Sequence, residues 1–414
     1  MTISRILFTI YIFLLPLDSI SAFRISLGVA SICILDFVIL ILFFIVMIQR
    51  LATVHYNIIH ISKFIIILFF TVITSTISLA FISGGSAFSD IKMTINFLEF
   101  FVLMFVVSHL IQNKQDVHYY LLCFALITLG VTIFTVAKSL GLPIPGFTRI
   151  RHAAFGPFYI GVVAFMENVL GYSIMLCATI PLLHSNMLLR SIYVKLILIV
   201  LCSIGALLLY TRSLYLALII QFMSFAFLYL FVIKKHPLYR FIFGFNIFLF
   251  IVLTFSLWDV IWDTFFVIRQ STIESRIFGY QNSITAATSS ASNFFLGIGK
   301  SYYVDYLTYD GAVPHNFFIE ILLSKGLLTL TLMIAFFSTL ILALTQLIRT
   351  SQFDDQKRAA VSFLIGVIGI LIVGMFGPIT CSLILWTFLS IVCSYVSVAK
   401  RMIGDANESH VFTA

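Results

Sequence analysis

The sequence predicts an all-α polytopic integral membrane protein, a single transmembrane domain (1–414) of about 12 transmembrane helices with one large outer loop between helices 9 and 10. Three observations predict this class. Hydrophobic residues make up 61% of the chain and charged residues only 10%, whereas soluble domains carry roughly 25% charged residues. The apolar residues fall into runs that are close in length to a membrane span. One long polar stretch, Trp258–Lys325, interrupts these runs late in the chain.

Twelve apolar runs approach the ~20 residues that a helix needs to cross the hydrocarbon layer. They lie at approximately 6–23, 25–48, 63–82, 93–111, 119–141, 162–183, 191–210, 213–233, 238–258, 317–345, 359–376 and 381–399. The first run is the weakest because Pro16 and Asp18 interrupt it, and Ser19-Ile20-Ser21 resembles a signal-peptidase site. The favoured interpretation is an uncleaved span that continues through a tight helical hairpin at Arg24 into the second run.

The distribution of lysine and arginine predicts the orientation, because cytoplasmic connections carry the excess of both residues. If the N-terminus is cytoplasmic, the inner side collects fourteen basic residues: Arg5, Arg50, Lys63, Lys114, Arg190, Lys195, Lys234, Lys235, Arg240, Arg349, Lys357, Arg358, Lys400 and Arg401. The short outer connections then hold five: Arg24, Lys92, Arg149, Arg151 and Arg212. Both termini are therefore expected inside, and the 258–316 loop outside, where no ATP is available.

Charge and cysteine usage narrow the function classes. The formal net charge is +8, but the basic residues are scattered between apolar runs and never form a cluster of five, so no nucleic-acid partner is expected. All six cysteines lie in or at the edge of apolar runs, where they cannot form a disulfide framework in an aqueous loop. The outer connections show no His, Asp and Glu cluster with ligand spacing, so no metal is expected.

An outer loop after the fifth run carries Arg149 and Arg151, with Asn168 at the entry to the sixth run. Arginine beside aromatic residues anchors many proteins at the headgroup level of the membrane. Two arginines on the side that the positive-inside rule disfavours also fit a site for an anionic substrate. Both interpretations stay open.

Arg212 separates two apolar runs with no polar linker around it. An ionisable residue near the hydrocarbon costs roughly 2.5–3.5 kcal/mol on insertion scales, so we expect Arg212 to face a cavity or a partner. A side chain that snorkels from the end of a helix is the simpler alternative. An anion site is favoured.

The large loop adds Arg276, within Glu274-Ser275-Arg276, then Gly297-Ile298-Gly299, and then a tyrosine-rich patch that includes Tyr303. Tyrosines beside carboxylates suit sugar binding, although tyrosine belts at membrane interfaces are at least as common. His315 and Asn316 end the polar stretch where an apolar run begins. A lone histidine there is more often a capping or interfacial residue. Arginines on the same outer face, however, favour a catalytic role for this histidine. Arginine binds phosphate with two parallel hydrogen bonds, and histidine is the side chain best suited to proton transfer near neutral pH.

These residues resemble the O-antigen ligase and O-antigen polymerase superfamily of bacterial envelope glycosyltransferases. The likeness is carried by Thr211-Arg212-Ser213 between two spans, by Ser275-Arg276 with Gly297-Ile298-Gly299, and by His315-Asn316 running through Glu320 to Lys325-Gly326-Leu327. The basic loop at Arg149 and Arg151, followed by Asn168, fits as well. The likeness covers about 146–330, and its most specific part is His-Asn followed by a helix and Gly-Leu.

The resemblance implies a metal-independent glycosyltransferase of the bacterial inner membrane, with its active site on the periplasmic face. The donor would be an oligosaccharide linked to undecaprenyl pyrophosphate, and transfer to an acceptor hydroxyl would need neither nucleotide nor another cofactor. Arg212 and Arg276 would hold the pyrophosphate, and His315 would act as general base on the acceptor hydroxyl or orient it. The predicted substrate-binding residues are Arg149, Arg151, Asn168, Asn316 and Tyr303.

The acceptor distinguishes two activities that share this constellation. A polymerase extends the sugar of another lipid-linked repeat unit, whereas a ligase transfers the glycan to lipid A–core. The Phe- and Ile-rich composition and the two arginine-bearing outer loops favour the polymerase without excluding the ligase. A flippase for lipid-linked oligosaccharides is the alternative from a different class, and the absence of matching broken helices in the two halves argues against it. Membrane lipid and a chain-length regulator are further expected partners.

Overall fold

The structure is a computed structural model, and it describes residues 2–19, 24–27, 30–52, 62–82, 88–146, 154–155, 158–159, 161–166, 169–184, 191–209, 211–228, 270–299, 315–351, 353–377 and 382–411. Helices dominate these residues. They are α1 Ile3–Leu14, α2 Ile34–Ala52, α3 Ser62–Ile82, α4 Phe88–Leu110, α5 Lys114–Ser139, α6 Val169–His184, α7 Ile192–Leu209, α8 Arg212–Leu228, α9 Gln270–Ala287, α10 Ala291–Leu296, α11 Phe317–Thr350, α12 Asp354–Gly374 and α13 Leu383–Val411. Two short antiparallel pairs accompany them, β1 Arg24–Leu27 with β2 Ala30–Cys33 and β3 Ala154–Phe155 with β4 Phe158–Tyr159.

Four of the described helices are long and apolar enough to cross a membrane. They are Lys114–Ser139, Phe317–Thr350, Asp354–Gly374 and Leu383–Ile403. Shorter apolar helices are Ile34–Gln49, Phe69–Ser78, Phe97–Leu110, Val169–Leu183, Tyr193–Leu209 and Arg212–Leu228. The predicted class, a helical membrane protein, is confirmed. The total of twelve spans and the sidedness of the large loop stay predictions, and the predicted run 238–258 lies outside the described residues.

Helices α1 and α2 pack on each other, as the predicted helical hairpin requires, but Arg24 does not lie in a tight turn between them. Helix α1 ends at Leu14 and passes into a 3-10 turn, Leu15–Ser19, because Pro16 has no amide hydrogen for a continuing helix. The next described residues are the strands β1 and β2, with Arg24 opposite Cys33. Helix α2 then begins where the Asp36 carboxylate accepts a hydrogen bond from the Cys33 amide at 2.8 Å.

The sixth predicted span begins later than expected, because residues 161–166 are not helical, although all of them except the partly buried Phe165 are buried. Phe165 has a positive φ of 57°, which interrupts any helix. The backbone amides of this segment bond to other elements: Gly161 N donates to Leu208 O at 2.6 Å, Phe165 N to Pro145 O at 2.8 Å and Ala164 N to Thr135 Oγ1 at 3.0 Å. Irregular backbone at membrane depth is tolerated where protein supplies such partners. Helix α6 therefore starts at Val169.

The core of the bundle forms around α13. The Trp386 ring stacks on Phe100 of α4 with centroids 4.1 Å apart, and the Thr387 hydroxyl lies 3.2 Å from the Tyr11 hydroxyl of α1. At the end of the bundle where α5 begins, Arg5 forms a 2.7 Å ion pair with Asp116. These contacts fix α1, α4, α5 and α13 to one another.

Gln221 holds a second group of helices, α6, α8 and α12, at one level. Its Nε2 donates to Cys177 O at 2.8 Å and to Ile365 O at 3.0 Å. Pro181 lies inside α6 and has no amide hydrogen for the carbonyl four residues earlier, which is that of Cys177. Gln221 therefore supplies the donor that the proline removes.

The hydrogen bonds of Gln221 also show which ends of α6, α8 and α12 lie at the same end of the bundle. Val169, Arg212 and Gly374 are eight or nine residues from the three bonded positions, or about 12–14 Å along their helices at 1.5 Å per residue. We call this end of the bundle the Arg212 end.

Replacing Gln221 with Leu is expected to lower the free energy of unfolding by about 1–2 kcal/mol, because polar bonds between membrane helices contribute about 0.6–1.7 kcal/mol each. In a Pro181→Ala background the same change should cost less, since the restored backbone amide at position 181 can itself bond the Cys177 carbonyl. Equilibrium unfolding in mixed micelles of the wild type, the two single variants and the double variant completes this double-mutant cycle. An equal cost in both backgrounds would contradict the role assigned to Gln221.

Candidate functional site

His315 lies at the start of α11, as the sequence predicts, and Asn316 is the N-cap of that helix. The Asn316 Oδ1 accepts from the amides of Phe318 at 2.9 Å and Ile319 at 3.1 Å, and its Nδ2 donates to Met375 O at 3.1 Å. An N-cap amide satisfies donors that the first turn leaves unpaired. Asn316 therefore ties the start of α11 to the end of α12, and its predicted contact with substrate stays a prediction.

The polar stretch is not a simple loop, since it contains α9 and α10. One face of α9 carries Gly279, Ser283 and Ala287, all buried, and α9 packs on α11. Small residues let two helices approach closely. Arg276 and Tyr280 extend the same face by a further turn toward His315.

Tyr280 joins α9 to the histidine. Its hydroxyl donates to the His315 carbonyl oxygen at 3.1 Å. Arg276 precedes Tyr280 by four residues, which places both side chains on one side of α9. The sequence interpretation missed Tyr280, although the spacing from Arg276 to Tyr280 would have indicated a shared helical face if the stretch had been assigned as a helix.

Arg276 acts electrostatically on both neighbours. Partial desolvation lowers the pKa of His315 below its ordinary value, and the positive charge of Arg276 lowers it further. Desolvation raises the pKa of Tyr280, against the opposing effect of Arg276. The Arg276 Nε is buried and finds no hydrogen-bond acceptor among the described residues. A neutral imidazole, which can accept a proton, therefore lies near a guanidinium that retains hydrogen-bonding capacity.

Two glycines fasten the rest of the polar stretch to α11. Gly326 interrupts α11 with φ 75° and ψ 178°, and the freed Leu323 carbonyl accepts from the Ile298 amide at 2.7 Å. A Cβ on Gly297 would lie 2.5 Å from Lys325 N, and one on Gly326 would lie 2.5 Å from Leu296 N. The two backbones touch here, so neither position has room for a side chain.

The part of α11 that precedes Gly326 carries buried polar residues. Lys325 is 1% exposed, and its Nζ donates to Thr94 Oγ1 of α4 at 3.2 Å. The Ser78 hydroxyl of α3 donates to the Lys325 carbonyl at 3.4 Å. Glu320 is also buried. These contacts anchor the kinked part of α11 to α3 and α4.

Three contacts relate the histidine to the turn that carries Arg212. Asn316 bonds Met375, and two residues further on, a Cβ on Gly377 would lie 2.6 Å from Leu170 Cδ1 at the start of α6. Gly161, in the segment that precedes α6, bonds Leu208, four residues before Arg212. His315, Arg276 and Arg212 therefore share the Arg212 end of the bundle.

The remaining predicted site residues, Arg149, Arg151, Asn168 and Tyr303, lie outside the described residues. Within the described ranges, no group of three or more His, Cys, Asp or Glu side chains could hold a metal ion.

In comparisons with known proteins, the chain matches no family model and no curated protein. The geometry of Arg276, Tyr280 and His315 is therefore the basis for assigning a function.

Gly326→Ala is expected to lower the free energy of unfolding by about 1–3 kcal/mol, since a side chain at this backbone conformation is strained and the added methyl group meets the backbone of α10. Thermal unfolding in detergent measures the loss, and limited proteolysis around residues 288–299 detects release of α10. Gly130→Ala in α5 is the matched control, because its Cβ meets nothing within 4 Å. Equal unfolding temperatures for the two variants would show that the junction is not close-packed.

Proposed function

We propose that the protein is an O-antigen type polysaccharide polymerase of the bacterial inner membrane. It transfers an oligosaccharide from undecaprenyl pyrophosphate to a sugar hydroxyl of another lipid-linked repeat unit, with both termini cytoplasmic and the site at the periplasmic face. The observation that carries the proposal is the pairing of Arg276 with His315, a cation beside a base. This pairing suits a reaction that removes a proton and expels a phosphate.

In the proposed reaction, the acceptor hydroxyl oxygen attacks the anomeric carbon of the donor glycan. A new glycosidic bond forms as the bond between that carbon and the pyrophosphate oxygen breaks. The hydroxyl proton passes to the neutral imidazole of His315, and the electron pair of the broken bond leaves with undecaprenyl pyrophosphate. The bond that breaks already carries the activation energy, so no nucleotide is consumed.

Arg276 and Arg212 are suited to the leaving group. Negative charge grows on the pyrophosphate as its bond breaks, and fixed donors aimed at developing charge are the strongest single contribution in many enzymes. A guanidinium can give phosphate two parallel hydrogen bonds. The buried Arg276 Nε, which has no acceptor among the described residues, would gain one from a phosphate oxygen.

The proposed acceptor is tested in a strain that lacks the gene, complemented with wild-type protein or with His315→Ala. His315→Ala should abolish chain extension at normal protein level, because no base remains to take the hydroxyl proton. The readout is surface polysaccharide on a gel, where loss of long chains with one repeat still attached to core identifies a polymerase. Loss of all attached antigen would identify a ligase, and accumulation of inward-facing lipid-linked units a flippase.

The histidine control is His118→Ala, a histidine in α5 at the opposite end of the bundle. It should keep the wild-type banding. Wild-type banding in His315→Ala as well would remove His315 as the base.

Arg212→Lys and Arg276→Lys should each lower the rate of chain extension at least about tenfold, because lysine keeps the charge and loses the two-pronged geometry. Arg349→Lys, at the exposed far end of α11, is the control. Full activity in both lysine variants would leave only a generic need for positive charge.

In vitro, kcat/KM for the donor, which reports the free enzyme, should fall at a pH below the ordinary histidine value of about 6.5, since protonation removes the base and the pKa of His315 is lowered. Arg276→Gln should move that fall to higher pH.

A further inference from the structure

We propose that Tyr280 is a positioning residue that holds the His315 main chain against α9 and so keeps the imidazole in register with Arg276. The catalytic meaning of this role rests on the proposed function, but the positioning itself does not. Tyr280 does not touch the reacting atoms in the proposed reaction. It acts through His315.

The placement of the hydrogen bond supports this role. Among the described residues, the 3.1 Å bond from the Tyr280 hydroxyl to the His315 carbonyl is the hydrogen bond that joins α9 to residues 315–316. An apolar contact between α9 and α11 lies two turns further along α9, where Ala287 packs with Leu323 and with Ile298. The part of α9 that carries Arg276 therefore has its polar attachment to the start of α11 at Tyr280.

The opposite side of the histidine is already fixed. Asn316 caps α11 and bonds Met375, which sets the position of the His315 main chain relative to α12. Tyr280 adds the link to α9, so α9, α11 and α12 meet at residues 315–316. Loss of the hydroxyl would leave the histidine attached to α12 and release it from the helix that carries the arginine.

The Tyr280 hydroxyl remains a hydrogen-bond donor among the charged groups that surround the histidine. Arg276 is the charged group that acts on the imidazole from α9, Glu274 is exposed on the same helix, and Glu320 and Lys325 are buried further along α11. Because the pKa of Tyr280 is raised, its hydroxyl keeps its proton throughout the neutral pH range and remains a donor.

The test follows the titration of His315 in the full-length protein in detergent, by NMR of histidine-labelled samples. The His315 signal is assigned from its loss in His315→Gln. We expect a wild-type midpoint below the ordinary value of about 6.5, a rise toward that value in Tyr280→Phe, and a rise in Arg276→Gln. The variant that combines both changes should match Arg276→Gln, because moving the imidazole away from position 276 cannot alter its pKa further once the charge there is gone.

Tyr395→Phe is the matched control. Its hydroxyl also donates to a backbone carbonyl, that of Gln356, at 2.9 Å, in a part of the bundle away from the histidine. This variant should lose stability without moving the His315 midpoint. In the chain-extension assay, Tyr280→Phe should lower kcat by about tenfold and leave KM for the donor unchanged, as expected when only the placement of a catalytic group changes.

The outcomes separate the two proposals. An unchanged His315 midpoint in Tyr280→Phe would overturn the positioning role, whatever the activity of the protein. A midpoint that rises in Tyr280→Phe supports the positioning role, even if deletion of the gene leaves polysaccharide chain length intact and the polymerase proposal fails.

Discussion

A backbone amide or carbonyl inside the hydrocarbon layer has no water to bond, and each break in a helix must therefore be repaired by another element. The part of this chain that the structure describes includes three such repairs. Gln221 bonds the Cys177 carbonyl that Pro181 leaves without its usual donor. Leu208 accepts from Gly161 in the irregular segment before α6. Ile298 donates to Leu323 where Gly326 interrupts α11. In each case the repair is also a contact between elements that are distant in sequence, so the interruptions hold the bundle together.

The positions of two repairs explain how a site can form at the Arg212 end. The irregular segment before α6 bonds the end of α7, which places it beside the turn at Arg212. The interruption at Gly326 seats α10 against α11, and the adjoining α9 brings Arg276 and Tyr280 toward His315. An unbroken α11 would offer no free carbonyl to Ile298. The polar stretch would then have lost the backbone hydrogen bond that fastens it to the span.

The sequence predicts those features that depend on composition and local pattern. Apolar content indicates a helical membrane protein, and the boundary between polar and apolar residues at Asn316 indicates the start of α11. It does not predict the non-helical segment 161–166, whose composition is as apolar as a span and whose conformation depends on partners at Leu208 and Pro145. The helical α9 was missed for the opposite reason, since its polar composition resembles a loop and its small-residue face has meaning only against α11.

A cation beside a base has a consequence for the order of events in the proposed reaction. In the free protein, partial desolvation and then the charge of Arg276 lower the pKa of His315 and favour the neutral imidazole, which is the state that can accept a proton. A pyrophosphate bound to Arg276 would offset that positive charge, and the pKa of His315 would then rise. The histidine would become a stronger base only when the donor is in place, close to the point at which the acceptor hydroxyl must lose its proton. An isolated histidine at a helix start would have no such dependence on the donor, and this dependence is the chemical reason for holding Arg276 and His315 together.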